Sequence, residues 1–166
     1  MRRMRVQLFG AHVTSDSGGA PAVAIPFDPD EIWGAKAYHL VGGRIEPVAG
    51  TTCNRRLRGR VTPDGDRWVF GLNPRWMQET GVAVGDEVTV ELAPEGPQRA
   101  DLADDLADAL AANPAAAAFF DTLAQFYRKA YLRWIDATSR RPAVRAERIA
   151  TVVDLLAAGI KERPRA

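Results

Sequence analysis

The fold is decided by one stretch, residues 70–92, which read FGLNPRWMQETGVAVGDEVTVEL. Asn73 is suited to cap a helix, and Pro74 is suited to its first position, where no backbone N–H is needed. Gly81 then ends that helix after about two turns. From Val88 to Leu92, apolar and polar residues alternate as they do in a half-buried strand. The stretch therefore predicts a strand, a short helix, a tight turn and a second strand.

The chain before this stretch carries mainly strand signals. Asp64 and Gly65 form a strong hairpin signal between two β-rich segments. Asp28 and Pro29 mark a second short helix by the same capping pattern. The predicted strands are Met4–Val13, Ala22–Ile25, Ala37–Pro47, Val48–Arg60, Arg67–Phe70 and Val88–Leu92.

These strands predict a closed sheet. Six short strands with two interleaved helical turns and no long crossover favour a small, mostly antiparallel six-stranded β-barrel. In the first strand, Val6, Leu8 and Ala11 are predicted to face the interior.

The composition changes after Pro94, where helix signals replace strand signals. Alanine is abundant, and apolar residues recur at helical spacing as far as Leu156. The fold class is therefore α+β, with a C-terminal bundle of three to four helices after the barrel. The predicted organisation is a barrel at 1–94, a linker at 95–98, a helical module at 99–160 and a disordered tail at 161–166.

Composition limits the class of protein. The chain has 166 residues, of which 46% are hydrophobic and 26% are charged, as expected of a globular protein. Cys53 is the only cysteine, so an intramolecular disulfide is excluded and a reducing compartment is indicated. No run reaches the roughly 18 apolar residues of a membrane span. These features predict a cytoplasmic protein.

Several segments carry a family resemblance. Ile25–Phe27, Gly71–Pro74 and the Gly-Asp-Glu-Val-Thr-Val of residues 85–90 lie in the order found in a bacterial family of domains of unknown function, number nineteen-oh-five. The later segments Tyr131–Asp136 and Arg145–Ile149 resemble a helical module labelled bacteriocin-protection or porin-associated. Together the resemblances imply a small barrel followed by a helical tail, and they bring no catalytic residues with them.

Arginines are the most prominent candidate binding residues. The chain is basic from Asn54 to Arg75 and from Tyr127 to Arg148, and acidic from Glu79 to Asp108. Strand spacing would present one set together, and helical spacing i, i+4, i+7 would align the other beside Trp134. Either set is suited to bidentate binding of phosphate or carboxylate. The alternative is that the arginines reflect coding bias or neutralise the acidic segment across the domain interface. The candidate residues are Arg56, Arg58, Arg60, Arg141, Arg145, Arg148 and Trp134.

Catalytic and metal signals are weak. His12, His39 and Cys53 lie on separate predicted strands, without the close ligand pair that is typical of a zinc site. The sequence has no nucleophile elbow, phosphate-binding loop or dinucleotide fingerprint. No catalytic residue, metal or cofactor is therefore predicted.

The leading interpretation is a non-catalytic binding or interaction module for an unknown protein or small molecule. Its site is predicted at the junction of barrel and helices, with a role linked to bacteriocin or stress protection. One alternative is nucleic-acid binding through the Arg55–Arg60 strand, which a net charge of only +1 disfavours. The other alternative is an enzyme with a pocket lined by His39, Trp33 and arginines.

Overall fold

The structure, a computed structural model, describes residues 5–50 and 55–165. The chain forms two compact units, Met1–Pro94 and Glu95–Ala166. The first unit contains six strands and two short helices: β1 (Gln7–Ser15), β2 (Pro21–Ile25), α1 (Pro29–Trp33), β3 (His39–Pro47), β4 (Leu57–Asp64), β5 (Arg67–Gly71), α2 (Pro74–Thr80) and β6 (Glu87–Pro94).

The six strands form a closed barrel in the order β1-β2-β5-β4-β3-β6. Every pairing is antiparallel, and β6 closes the barrel by pairing with both β1 and β3. Val88, Val90 and Leu92 of β6 are fully buried, whereas Glu87, Thr89 and Glu91 face outward. The predicted barrel and the predicted alternation in β6 are both confirmed.

The predicted orientation of β1 is wrong for Val6 and Leu8 and correct for Ala11. Val6 and Leu8 are 45% and 69% exposed, while Val13 is buried and Phe9 and Ala11 pack against the barrel core. The odd-numbered residues of β1 therefore face the interior. A shift of one residue in a strand exchanges its inward and outward faces. Since β1 has apolar residues at both even and odd positions, the sequence does not decide which set faces the interior.

The fourth strand is shorter than predicted at its beginning. The segment Val48–Gly50 bends away after β3, and β4 begins at Leu57. Residues 51–54, and Cys53 with them, lie outside the described residues, as does the predicted strand start at Met4. The predicted hairpin is confirmed, since Asp64 opposes Arg67 across the turn and Gly65 has a φ of 67°.

The capping signals of the two short helices act as predicted. The Asn73 side chain accepts a hydrogen bond from the Arg75 backbone N–H at 2.8 Å, and Gly81 ends α2 with a φ of 77°. The Asp28 side chain accepts from the Asp30 backbone N–H at 2.9 Å at the start of α1. Local hydrogen bonding therefore fixes where both helices begin.

At Gly43, strands β3 and β6 approach each other too closely for any side chain. A β-carbon placed there would lie 1.8 Å from the Glu91 carbonyl oxygen and 3.1 Å from the Leu92 Cα. Gly43 is buried and pairs with Leu92 in the ladder. A residue without a β-carbon is therefore needed where the barrel closes between these strands.

The second unit is helical. It comprises a 3₁₀ turn at Arg99–Asp101 and four α-helices: α3 (Asp104–Ala111), α4 (Pro114–Thr122), α5 (Gln125–Asp136) and α6 (Pro142–Ala157). Its core includes Leu110, Phe120, Ile135 and Leu156, each at most 2% exposed. Across residues 5–50 and 55–165, no helix is long and apolar enough to cross a membrane.

Arg128 of α5 holds the start of the helical unit in place. This side chain is only 1% exposed, and its guanidinium donates to the carbonyl oxygens of Glu95, Pro97 and Asp121 at 3.3, 2.9 and 2.8 Å. It also lies 4.9 Å from the centre of the Phe120 ring. Burial lowers the pKa of Arg128, although the nearby carboxylates of Asp121 and Glu95 oppose that effect. The segment predicted as a linker is thus bonded to α5.

Candidate functional site

The first predicted arginine set is only partly assembled on one face. Arg58 and Arg60 are exposed on the outer face of β4, opposite Gly42 and Leu40 of β3. The Arg60 guanidinium lies 4.7 Å from the centre of the Tyr38 ring. Arg56 is exposed but precedes the first residue of β4. Strand geometry therefore brings two of the three arginines together.

Other arginines of the same basic segment are bonded to nearby groups. Arg75 and Arg55 both bind the carboxylate of Glu79, the first through an Nε–Oε1 distance of 3.0 Å. The hydrogen bond from Arg75, followed by that from Arg55, lowers the pKa of Glu79. Arg55 and Arg75 are therefore both paired with a carboxylate of α2.

In the second predicted set, Arg145 forms ion pairs within the helical unit. Its guanidinium contacts both carboxylate oxygens of Asp105, at 2.6 and 3.0 Å, and the Asp136 carboxylate at 3.0 Å. The bond from Arg145 lowers the pKa of Asp105, and the same contact raises the pKa of Arg145. Arg145 therefore neutralises a carboxylate of the acidic segment, Asp105, and both residues belong to the helical unit.

Arg148 and Trp134 come together, and Arg163 joins them. The Arg148 guanidinium donates to the Trp134 carbonyl oxygen at 2.6 Å and lies 4.7 Å from the centre of its indole ring. The guanidinium of Arg163, which follows α6, lies 4.1 Å from the same ring. Arg141 is exposed at the start of α6. We refer to Trp134, Arg148 and Arg163 as the arginine–tryptophan cluster.

The segment after α6 brings Arg163 to this cluster. The Tyr131 hydroxyl donates to the Ile160 carbonyl oxygen at 2.7 Å, and the Lys161 ammonium lies 5.2 Å from the centre of the Tyr127 ring. Burial raises the pKa of Tyr131. Sequence reasoning missed Arg163, because it falls in the segment predicted as a disordered tail. The tyrosines and tryptophan spaced along α5 were the signal that something covers that face.

The two histidines of the chain do not converge. His12 is exposed on the outer face of β1, whereas His39 is 1% exposed and points into the barrel from β3. Within the described ranges, no group of three histidine, cysteine, aspartate or glutamate side chains could hold a metal ion. Cys53, the third suggested ligand, lies outside those ranges.

His39 is held in an aromatic environment. Its Nε2 lies 2.8 Å from the Asp30 Oδ1, and its ring packs edge-on against Trp33 and Trp68 at centroid distances of 5.6 and 5.5 Å. Its Nδ1 has no hydrogen-bond partner among the described residues. Burial lowers the pKa of His39 below 6.5, against the opposing effect of Asp30. A buried, neutral imidazole beside a carboxylate is the result.

Comparison with known proteins identifies both parts of the chain. Residues 9–92 match the family described as "Domain of unknown function (DUF1905)", which accounts for just over half of the sequence. The chain belongs to this family. Residues 99–159 match a second family, described as "Bacteriocin-protection, YdeI or OmpD-Associated". A search of the curated proteins finds no match. The suspected pairing of two families, in this order, is confirmed.

The candidate residues divide between these two regions. The DUF1905 barrel carries His39, Arg58 and Arg60, and the bacteriocin-protection region carries Trp134 and Arg148. Arg163 lies four residues beyond the second match. The arginine–tryptophan cluster is therefore built mainly from the helical family and completed by the segment that follows it.

The lowered pKa of His39 predicts a pH-dependent stability of the DUF1905 barrel. Between the folded pKa and the unfolded value of about 6.5, the unfolded state binds more protons, so the free energy of unfolding rises with pH. Stability should therefore fall as the pH decreases below about 6.5, with a limiting slope of about 1.4 kcal/mol per pH unit. Urea titrations from pH 5 to 8, followed by the Trp68 indole NMR signal, measure this slope.

The matched variants are His39→Gln and His12→Gln. His39→Gln should remove the part of the slope that this residue contributes, while His12→Gln changes an exposed residue on the outer face of β1 and should keep it. An equal slope in wild type and His39→Gln would show that burial of His39 does not govern the pH dependence.

Proposed function

We propose that this protein is a non-catalytic binding module that recognises a phosphate or carboxylate group of its partner through the arginine–tryptophan cluster. The observation that carries the proposal is the convergence of two guanidinium groups within 5 Å of one indole ring, from α6 and from the segment after it. Guanidinium groups bind carboxylate and phosphate through paired, charge-assisted hydrogen bonds.

The charge balance of the cluster supports this proposal. Among the described residues, neither Arg148 nor Arg163 forms an ion pair with a carboxylate. By contrast, Arg145, which lies on α6 with Arg148, binds two carboxylates. Two positive groups held near one ring repel each other, and an anion bound by both would relieve that repulsion. Arg148 is also positioned in advance by its bond to the Trp134 carbonyl.

The burial of His39, the best candidate for an acid or base, favours a binding role over catalysis. General acid or base work requires that a side chain reaches the substrate, and His39 is 1% exposed behind Trp33 and Trp68. The proposal places the protein in the bacterial cytoplasm, as its single cysteine indicates. The partner takes part in protection against a bacteriocin, the role that the second family's description names.

The test is a titration with inorganic phosphate and with acetate at constant ionic strength, followed by the indole N–H signal of Trp134. Wild type should show a saturable shift. Arg148→Gln/Arg163→Gln should weaken the binding by at least about tenfold, because both charge-assisted contacts are lost. Arg133→Gln/Arg140→Gln removes two exposed charges from the same unit and should leave the shift unchanged.

A second candidate function is nucleic-acid binding by the outer face of β4. The exposed pair Arg58 and Arg60, with Tyr38 stacked on Arg60, favours it, because cationic and aromatic groups together bind single strands. A single-stranded oligonucleotide, added as a further arm of the same titration, separates the candidates. Loss of oligonucleotide binding in Arg58→Gln/Arg60→Gln, with no phosphate shift at Trp134, would replace the first proposal by the second.

A further inference from the structure

An open cleft of about 440 Å³ lies on the DUF1905 barrel, whereas the residues of the proposed function belong to the helical unit. Two segments line it, Ile25–Asp28 at the end of β2 and Asp66–Trp68 at the start of β5. Its volume falls in the range of about 300–1,000 Å³ that small-molecule sites occupy. Two carboxylates and two aromatic rings from these segments line the cleft.

The aromatic wall of the cleft is fixed from behind. The Phe27 ring packs edge-on against Trp33 at a centroid distance of 5.2 Å, and His39 lies between Trp33 and Trp68. Asp30 in turn binds His39. Because these rings support one another, Phe27 and Trp68 present a preformed apolar surface that needs little ordering when a ligand binds.

The charges at the cleft are predominantly negative. Asp28 and Asp66 are exposed at its rim. Among the residues that the structure describes, Arg67 is the one cation that lines the cleft, and it is directed to other groups. Its Nε and Nη2 lie 3.3 and 3.2 Å from the Asp64 Oδ2, and its Nη2 also donates to the Ser15 carbonyl. The positive charge of Arg67 is therefore balanced by Asp64, and the two rim carboxylates remain to attract a ligand.

Asp64 keeps its charge across the physiological range. Its carboxylate accepts hydrogen bonds from the Ser17 backbone N–H at 3.2 and 3.3 Å as well as from Arg67. These bonds, that from Ser17 first, lower the pKa of Asp64. Arg67 thus stays paired, so it does not offer a site for an anion in the cleft.

We propose that the cleft binds a small organic cation, whose ammonium or guanidinium group bonds to Asp28 and Asp66 while its apolar body lies against Phe27 and Trp68. Carboxylates bind such groups through charge-assisted hydrogen bonds, and aromatic faces attract cations through their ring electrons. The ligand is a compact molecule, because the volume of the open cleft is limited.

Benzamidine and benzamide are matched probes for this cleft. Both are flat aromatic molecules of nearly the same shape, but only benzamidine is cationic at neutral pH. Titrations followed by the Trp68 indole N–H signal, assigned with Trp68→Phe, should show saturable binding of benzamidine and at least about tenfold weaker binding of benzamide. Equal binding of the two, or binding of neither, would overturn the proposal.

Two double variants locate the site. Asp28→Asn/Asp66→Asn should weaken benzamidine binding by at least about tenfold, while asparagine at residue 28 retains the helix cap. Glu31→Gln/Glu87→Gln removes the same charge from exposed positions that do not line the cleft, and it should bind as wild type does. Equal losses in both double variants would show general electrostatic attraction. Tighter binding of an arginine-containing peptide than of benzamidine would show a protein-docking groove. Either result would contradict the proposal.

Discussion

Replacing Gly43 by alanine is expected to abolish closure of the barrel between β3 and β6. The added β-carbon would meet the Glu91 carbonyl oxygen at 1.8 Å and its carbonyl carbon at 2.8 Å. Both obstructing atoms belong to the backbone of a central ladder, so no side-chain rotation can relieve the contact. We expect the free energy of unfolding of the barrel to fall by about 3 kcal/mol or more, the upper end of the cost of overpacking a core.

Urea denaturation followed by the Trp68 indole signal measures this effect. Gly10→Ala on the outer face of β1 is the matched control, because a β-carbon there meets nothing within 4 Å. Gly10→Ala should be within about 0.5 kcal/mol of wild type, as surface substitutions usually are. If Gly43→Ala proved as stable as Gly10→Ala, the close approach of β3 and β6 would be refuted.

Replacing Arg128 by methionine is expected to destabilise the helical unit by about 3 kcal/mol or more. Methionine fills similar apolar space, but the carbonyl oxygens of Pro97 and Asp121 lose their Arg128 donors. Each buried acceptor that is left without a partner costs about 1–3 kcal/mol. The segment from Glu95 to Gln98 should loosen first, because the guanidinium contacts it directly.

Amide hydrogen exchange of the segment and urea denaturation followed by Trp134 test this expectation. Arg133→Met alters an exposed arginine on the same helix and serves as the control. The Trp68 signal, which belongs to the barrel unit, should not move in either variant. Equal stability of Arg128→Met and Arg133→Met would show that the buried guanidinium does not hold the unit together.

The order of helices and strands could be predicted because the sequence signals for it, helix caps and strand alternation, are local. Asn73 and Asp28 bond to backbone groups two residues away, so the caps are visible in the sequence. The alternation of β6 has apolar residues at one parity only, and its orientation is correct. In β1, even and odd positions both carry apolar residues, so the pattern does not decide which face points inward. The structure shows that the inward residues are Phe9, Ala11 and Val13.

The surroundings of the arginines could not be predicted because they depend on tertiary contacts. Helical spacing aligned Arg141, Arg145 and Arg148, yet one is exposed, one binds Asp105 and Asp136, and one stacks on Trp134. Arg128 belongs to the same basic segment and is buried. The His39–Asp30 contact joins residues on different elements.

Closure of the barrel also restricts how a partner can be recruited. Each of the six described strands is paired on both sides, so β1 and β6 leave no open edge on which an extended peptide could align as an extra strand. Recognition through strand addition, which many sheet proteins use, therefore requires that a ladder be broken first. Partners of the intact barrel have to be selected by side chains on its outer wall, and the same closure protects the protein from edge-to-edge aggregation.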